Sequence, residues 1–275
     1  MSGWLSGSSP LTRPFETVPE TPALSSRRLL VVTALRDEAL AFSRGAGGRC
    51  RPMSLRQAEK GLRDQDPGNW PVIPVVYLGP GRHGVENLER LLSGVKMGPI
   101  LFCGFAGGLS PEVKAGEILV AGRVLKTGES PTPVQVPEFL SSRYREGMVV
   151  TVDRPVSTPH EKARLRAKTG GDVVDMESAG WLSLAASRGI PAWAVRVVSD
   201  AWEETLPPEA MSFVDARGET SPVGIVRSIL LRPAILFSMA RLFPGILRAQ
   251  AGLRELGARV SCECGPGIFP DRGLR

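Results

Sequence analysis

Two apolar strands that each end in carboxylates, joined by one helix, occupy residues 172–200 and constrain the fold more than any other stretch. The first strand runs into Asp175-Met176-Glu177, and the second stops at Ser199-Asp200. Gly189 is placed to end the intervening helix, because glycine readily adopts the left-handed conformation found there. Ligands of open α/β sheets bind beyond the carboxyl ends of the strands. We therefore expect Glu177 and Asp200 to face one crevice.

Two further motifs follow short apolar runs of the kind that form buried strands. Residues 29–35 run into the acidic turn Arg36-Asp37-Glu38. Residues 99–103 run into the glycine-rich turn Gly104-Phe105-Ala106-Gly107-Gly108-Leu109. Small residues let the chain turn sharply and admit a ligand close to the backbone.

A third turn, Gly79-Pro80-Gly81-Arg82-His83-Gly84, separates a strand predicted over 72–78 from a helix predicted over 85–95. Glycines at a strand-to-helix junction let backbone N–H groups approach an anion. Arg82 and His83 are therefore candidate anion contacts. A simple connecting turn is the alternative, since glycine-rich turns are common.

The acidic turn with Glu38, the glycine-rich turn 104–109 and the segment 175–200 resemble, in this order, the signature of one superfamily. It contains the purine nucleoside phosphorylases and the methylthioadenosine/S-adenosylhomocysteine nucleosidases. The resemblance implies an α/β fold in three αβα layers, with helices flanking a central mixed, twisted sheet. It also implies an enzyme, a nucleoside phosphorylase or nucleosidase acting on a purine nucleoside, and a homo-oligomer.

Features outside these motifs resemble a narrower group. Val152-Asp153-Arg154-Pro155-Val156, Leu206-Pro207-Pro208 and an Arg-Pro-containing C-terminal tail are similar to the hopanoid-associated phosphorylases. Those proteins are implicated in removing adenine from an adenosyl-hopane lipid intermediate. This resemblance covers residues 28–255 and implies an adenine nucleoside as substrate.

The resemblance assigns roles to the two carboxylates of the segment 175–200. Asp200 protonates or hydrogen-bonds purine N7 as the leaving-group acid, and Glu177 accepts hydrogen bonds from the ribose hydroxyls. An acid must hold a proton before it can donate one, and burial at a strand end favours that neutral form. Structural interpretations stay open, because Asp200 can cap the following turn and Glu177 suits a helix N-terminus.

The nucleophile is left open between water and phosphate. In hydrolysis Glu38 acts as general base on water, whereas its structural alternative is a favourable place at a helix N-terminus. In phosphorolysis inorganic phosphate is a co-substrate held by Gly79, Gly81 and Arg82, as the resemblance implies. Arg36 and Arg196 are further candidate anion contacts. No other cofactor is implied, and two histidines form no metal-ligand cluster in the sequence.

The resemblance also implies a pocket for base and sugar, formed by Phe105, Ala106, Gly107, Met176 and Ser199. Relatives usually carry a small polar residue where Phe105 stands, so we expect a more apolar pocket wall. Met176 packs against the sugar in this interpretation, and a plain core position is its alternative. The alternative function is a non-catalytic nucleoside-binding module, which Phe105 favours and the retention of three acids opposes.

The charge and the cysteine content bear on which partners the protein can bind and on where in the cell it is expected. The net charge of +6 comes without a dense Lys/Arg run with interleaved aromatics, which argues against nucleic-acid binding. Four cysteines in 275 residues form no disulfide framework, so a cytoplasmic location is expected.

One domain is predicted over residues 27–255, with a helical C-terminal part from about residue 207. Residues 1–26 and 256–275 are predicted to be flexible tails. Charges and prolines interrupt the apolar stretch 223–247, which excludes a membrane span on length. Core helices, or an amphipathic face that gives peripheral membrane contact, are the two interpretations of this stretch.

Overall fold

The computed structural model describes residues 29–63, 72–93, 98–206, 215, 217–219 and 234–263. Within these residues nine strands form one sheet, accompanied by seven helices. In chain order the elements are β1 (Leu30–Thr33), α1 (Arg36–Gly45), β2 (Cys50–Ser54), α2 (Leu55–Arg63), β3 (Ile73–Tyr77), α3 (Gly81–Leu92), β4 (Ile100–Gly108), β5 (Ile118–Lys126), β6 (Thr132–Pro133), α4 (Glu138–Ser141), β7 (Arg145–Thr151), α5 (Pro159–Thr169), β8 (Val173–Asp175), α6 (Ser178–Ser187), β9 (Ala192–Asp200) and α7 (Ala234–Glu263).

The sheet is mixed and combines a parallel wing with a closed ring. β2, β3, β1 and β4 are parallel neighbours in that order. β4 then pairs with both β8 and β9, and the ladder runs from β8 through β7 and β5 back to β9. Gly107 of β4 thereby pairs with Val174 on one side and with Asp200 on the other. The ring brings the ends of β8 and β9 to the glycine-rich part of β4.

Helices cover both faces of the sheet. α1 and α7 pack on one face, where Phe42 and Leu253 belong to the same buried cluster. α2, α3 and α6 pack on the other, where Leu88 and Trp181 are fully buried. Burial of this apolar surface is the main force that holds the layers together. The expected three-layer αβα fold with a central mixed sheet is confirmed.

The structure corrects two predicted boundaries. α3 begins at Gly81 rather than at residue 85, so Arg82 and His83 lie in its first turn and not in a loop. α7 continues to Glu263, and its Leu256 and Val260 are buried. The C-terminal tail predicted from residue 256 therefore starts too early, because this last part of α7 packs in the same cluster as α1.

Other predictions concern parts of the chain that are not described. The N-terminal tail over 1–26, most of the stretch 207–233 and residues 264–275 lie outside the described residues. No helix in the described ranges is long and apolar enough to cross a membrane.

Candidate active site

Glu38 lies between the ends of β1 and β4, in the first turn of α1. It is buried, and its Oε2 accepts hydrogen bonds from the backbone N–H groups of Ala34 (3.1 Å) and Leu35 (2.8 Å). Its Oε1 accepts one from the N–H of Phe105 (2.7 Å). A Cβ at position 104 would lie 2.8 Å from Oε1, so only glycine lets this carboxyl rest against β4. The acidic turn with Glu38 and the glycine-rich turn 104–109 are therefore in direct contact.

Two opposing effects act on the protonation of Glu38. Burial raises its pKa from the ordinary value and is the larger effect. The backbone N–H donors of Phe105, Leu35 and Ala34 and the positive charge of Arg196 lower it. The net direction is upward, which suits a base that must take a proton near neutral pH.

Glu177 is buried at the N-terminus of α6, directly after β8. Its Oε1 accepts a hydrogen bond of 2.7 Å from the backbone N–H of Gly81 at the start of α3. Burial, followed by the negative charge of Asp175, raises the pKa of Glu177 to about 7. Gly81 has a φ of +58°, a conformation that favours glycine. The N–H expected to face an external anion thus faces a side chain of the protein.

Arg196 of β9 is the cation at the centre of these acids. Its Nε donates to Asp175 Oδ2 (2.7 Å) and to Ser178 Oγ (3.0 Å). Asp175 is held in turn by the Thr151 hydroxyl at 2.7 Å. Arg196 is buried, and its Nη2 finds no hydrogen-bond partner in the described part of the chain. A buried donor of this kind is costly unless something else binds it.

Asp200 ends β9 and is buried against a cation that the sequence did not reveal. Its Oδ2 lies 2.5 Å from Nζ of Lys162, whose side chain is 0% exposed. Its Oδ1 accepts a hydrogen bond of 2.6 Å from the Ser199 hydroxyl. The sequence expectation considered only the burial of Asp200 and did not include this cation.

The five predicted pocket residues lie beside these acids, although with different partners. Gly107 borders Asp200, since a Cβ there would lie 3.2 Å from Oδ2. The Ser199 hydroxyl is also 3.2 Å from the carbonyl of Ala106. Phe105 is half-buried with its backbone N–H bound to Glu38, and Met176 is half-buried with its Cε 3.3 Å from a Cβ built at Gly81.

The predicted phosphate contacts are only partly brought to this site. Gly79 has a φ of +90° and its N–H donates to Ala34, so it links the third turn to the end of β1. Arg82 points away, because its side chain is 91% exposed and its Nε donates to Glu86 at 2.9 Å. Arg36 is exposed as well.

Buried charge is unevenly distributed in the site. Among the described residues, two buried cations accompany four buried carboxyl groups, which belong to Glu38, Asp175, Glu177 and Asp200. Arg196 pairs with Asp175 and Lys162 pairs with Asp200. Glu38 and Glu177 are left with backbone donors, and they are the two acids whose pKa is raised. No group of three or more metal-ligating side chains suited to a metal ion occurs among the described residues.

Sequence reasoning missed Lys162. Helical spacing places Lys162 on the same face of α5 as Leu165, and this apolar neighbour is a weak indication that the face is buried. A lysine on a helix rich in charged residues is ordinarily solvated. Its partner lies 38 residues away, so no local pattern reveals the pair.

The chain has similarities to proteins of known activity. The family model described as the phosphorylase superfamily matches residues 134–230. A DeoD-type purine nucleoside phosphorylase of Caldanaerobacter subterraneus subsp. tengcongensis is 28% identical over 138 residues. That match spans 43% of this chain and 54% of the relative, so the chain aligns with about half the length of that protein.

Solved structures share the fold over most of the chain. The futalosine hydrolase of Helicobacter pylori is 18% identical with a TM-score of 0.57, over 85% of this chain and 97% of its own. The 5′-methylthioadenosine nucleosidase of Arabidopsis thaliana is 14% identical with a TM-score of 0.59, over 89% of this chain and 98% of its own. At these identities the likeness concerns the fold. Together with the family model, it confirms the resemblance to the phosphorylase and nucleosidase superfamily.

Proposed function

We propose that this chain belongs to the phosphorylase superfamily, whose family model matches residues 134–230, and that it hydrolyses the N-glycosidic bond of a purine nucleoside. One observation carries the proposal, which is the convergence of Glu38, Glu177 and Asp200 around the glycine-rich part of β4. They come from three separate parts of the chain, and each is buried with a distinct partner. A binding module has no need to bury three acids at one site, because an uncompensated buried charge is costly.

Cleavage of this bond makes three demands that the site can meet. The ribose gains positive character as the bond breaks, and carboxylates preorganised nearby stabilise it. Glu177 would accept hydrogen bonds from the ribose hydroxyls while ionised. Glu38 would take a proton from the attacking water, and the unpartnered Nη2 of Arg196 would orient that water. Asp200 would face the purine nitrogen that receives a proton.

Four contacts support water over phosphate as the nucleophile. The Gly81 N–H is already bound to Glu177, and Arg82 is exposed and paired with Glu86. Each of the two buried cations already contacts a carboxylate. A phosphate dianion would have to displace one of these partners or lie beside four buried acids, which Coulomb repulsion disfavours.

For the substrate we propose a 5′-substituted adenosine, with an adenosyl-hopane lipid as the leading candidate. The sequence resemblance to the hopanoid-associated group supports this choice. The half-buried Phe105, in place of a small polar residue, supports an apolar pocket wall. Homo-oligomerisation, a cytoplasmic location and peripheral membrane contact remain predictions, and sedimentation with and without liposomes tests the first and last.

The test is adenine release from adenosine, 5′-methylthioadenosine and a lipid-linked adenosine, each with and without phosphate. We expect release without phosphate, with ribose as the sugar product from adenosine and the correspondingly 5-substituted ribose from the other two substrates. Asp200→Asn should slow turnover by about 100-fold, as expected on removal of a general acid, whereas the exposed Asp153→Asn serves as control.

Other outcomes would change the proposal in defined ways. Release that requires phosphate and yields ribose 1-phosphate, or its 5-substituted form from a substituted substrate, would establish phosphorolysis instead. Saturable nucleoside binding without any base release would favour the non-catalytic module and exclude the enzyme for those nucleosides.

A further inference from the structure

Lys162 is a completely buried lysine whose three ammonium hydrogens all have acceptors. Nζ contacts Asp200 Oδ2 at 2.5 Å, the carbonyl of Ala201 at 2.6 Å and the carbonyl of Glu204 at 3.0 Å. The ammonium is therefore held in one place by a carboxylate and by the loop that follows β9. Burying a lysine is expensive, and an apolar side chain would fill the space without that cost.

The start of α5 fixes the direction from which this lysine enters. The Thr158 side chain caps the helix by accepting a hydrogen bond from the Glu161 N–H, and the Glu161 carboxylate in turn accepts one from the Thr158 N–H. The Lys162 N–H then donates to the Thr158 carbonyl at 3.0 Å. Such a reciprocal cap stabilises the first turn of a helix. Lys162 is thus anchored at its backbone as well as at its ammonium.

The charged groups around the pair have other partners. The Glu204 carboxylate accepts from the Ala201 N–H at 2.8 Å. On α5 itself, Glu161 is occupied by the Thr158 cap, and Arg166 donates to the Gly171 carbonyl at 2.9 Å. Asp200 is consequently the one carboxylate among the described residues that Lys162 contacts directly.

We propose that Lys162 is a positioning residue that stores the proton for the departing purine and delivers it through Asp200. This inference rests on the proposed function. In the resting enzyme Lys162 is an ammonium and Asp200 a carboxylate. As the bond between C1′ and N9 breaks, its electron pair stays on the purine. A proton passes from Nζ to the Asp200 carboxyl and from that carboxyl to a purine nitrogen. Lys162 is left neutral and regains a proton from water after the product leaves.

Glu38 shows why the cation matters. That carboxyl is equally buried but is held by three backbone N–H groups, which stabilise a charge and cannot release a proton. The ammonium of Lys162 does both. Neutral donors would suffice to hold Asp200 in place, so the ammonium points to proton supply.

The test compares kcat against pH for the wild type, Lys162→Met and Lys162→Arg, with Lys168→Met as control. Lys168 lies on the same helix and is exposed. We expect Lys162→Met to lose about 100-fold in kcat at pH 8, and we expect this loss relative to the wild type to become smaller at acid pH, where solvent protons can replace Lys162 as the proton source. Its alkaline limb should move down by at least about one pH unit, with KM nearly unchanged.

Lys162→Arg separates charge from proton supply. Arginine keeps a cation beside Asp200 but does not release its proton. We expect this variant to be slow at every pH, without the recovery at acid pH shown by Lys162→Met. A uniform loss in Lys162→Met, with the wild-type profile shape, would overturn the proposal in favour of a structural role.

A readout without turnover keeps the inference apart from the proposed function. NMR of ¹⁵N-lysine-labelled wild type at pH 7 should show Nζ of Lys162 as a protected ammonium, assigned by its loss in Lys162→Met. Its deprotonation at that pH would overturn the proton store even in an active enzyme. An intact ammonium signal with no base release by the wild type would instead overturn the proposed function, and the delivery step with it.

Discussion

The two sides of the candidate site hold their acids by different means. On one side Asp200 contacts the ammonium of Lys162, and on the other Glu38 and Glu177 are held by backbone N–H groups. All three are buried to a similar degree. Burial is therefore common to the three acids, and what differs between them is the partner, which is a cation at Asp200 and neutral N–H groups at Glu38 and Glu177.

The largest loss of activity should follow from removing the carboxyl charge of Glu38, one of the two acids that are held by backbone N–H groups. Glu38→Gln removes the general base and puts an amide N–H₂ among three N–H donors, so we expect kcat to fall by about 10³-fold. Base release under saturating nucleoside measures it. Glu129→Gln, at an exposed glutamate, is the matched control. Near-normal turnover in Glu38→Gln would remove Glu38 from the mechanism.

The next effect should come from the glycine that admits this acid. Gly104→Ala places a Cβ 2.8 Å from Glu38 Oε1, which forces the carboxyl away from β4. We expect kcat to fall by about tenfold or more, since small displacements of catalytic groups are costly. The control is Gly122→Ala on β5, whose Cβ would lie 2.8 Å from Oε2 of the exposed and flexible Glu146 side chain and in ordinary contact with the rest of it. Equal effects of the two substitutions would show general strand damage instead.

A pH-dependent effect should distinguish Glu177 from Asp200. Glu177 has a pKa of about 7, raised by burial and by Asp175, and it must be ionised to accept ribose hydroxyls. We expect kcat/KM to rise by about tenfold or more per pH unit below neutrality and to level off above it. Because the pKa of Glu38 is raised too, this acid limb belongs to both residues. A flat profile between pH 5 and 8 would contradict both assignments.

The Glu177 carboxyl should also make folding stability depend on pH. Its pKa is higher in the folded protein than in the unfolded chain, so its stabilising contribution is complete below pH 4.5 and is lost as pH rises through about 7. We expect a loss on the order of 2 kcal/mol in the unfolding free energy. Urea titrations at pH 5 and 8.5 measure it. Glu177→Gln should remove most of this difference.

The smallest effect is expected at Arg82. Its side chain is solvated and its ion pair with Glu86 is a surface pair, which contributes little to stability. Arg82→Ala should change kcat/KM by less than about twofold, with or without phosphate. A large loss confined to phosphate-containing assays would return Arg82 to an anion site and favour phosphorolysis.

Local patterns predicted much of the fold and the positions of the acids. β9 ends at Asp200 as predicted, and Thr158, a residue type that favours N-caps, caps α5. The predicted boundary at Gly81 is wrong because glycines there indicate a loop, whereas Gly81 starts α3 and donates to Glu177 from another part of the chain. Residues 43–70 are polar and show no clear pattern, and within them residues 50–63 form β2 and α2 at one edge of the sheet.

By itself the sequence determined which residues end the strands, since alternation of apolar runs, acidic turns and glycines is a local property of the chain. It thereby predicted that Glu177 and Asp200 face one crevice, and the resemblance to the superfamily added Glu38. Only the tertiary structure decided how each acid is held. Lys162 reaches Asp200 because α5 packs beside the end of β9, and Gly81 reaches Glu177 because α3 begins next to α6. The protonation of a buried carboxyl depends on the charges within a few ångströms, and packing alone determines which charges those are.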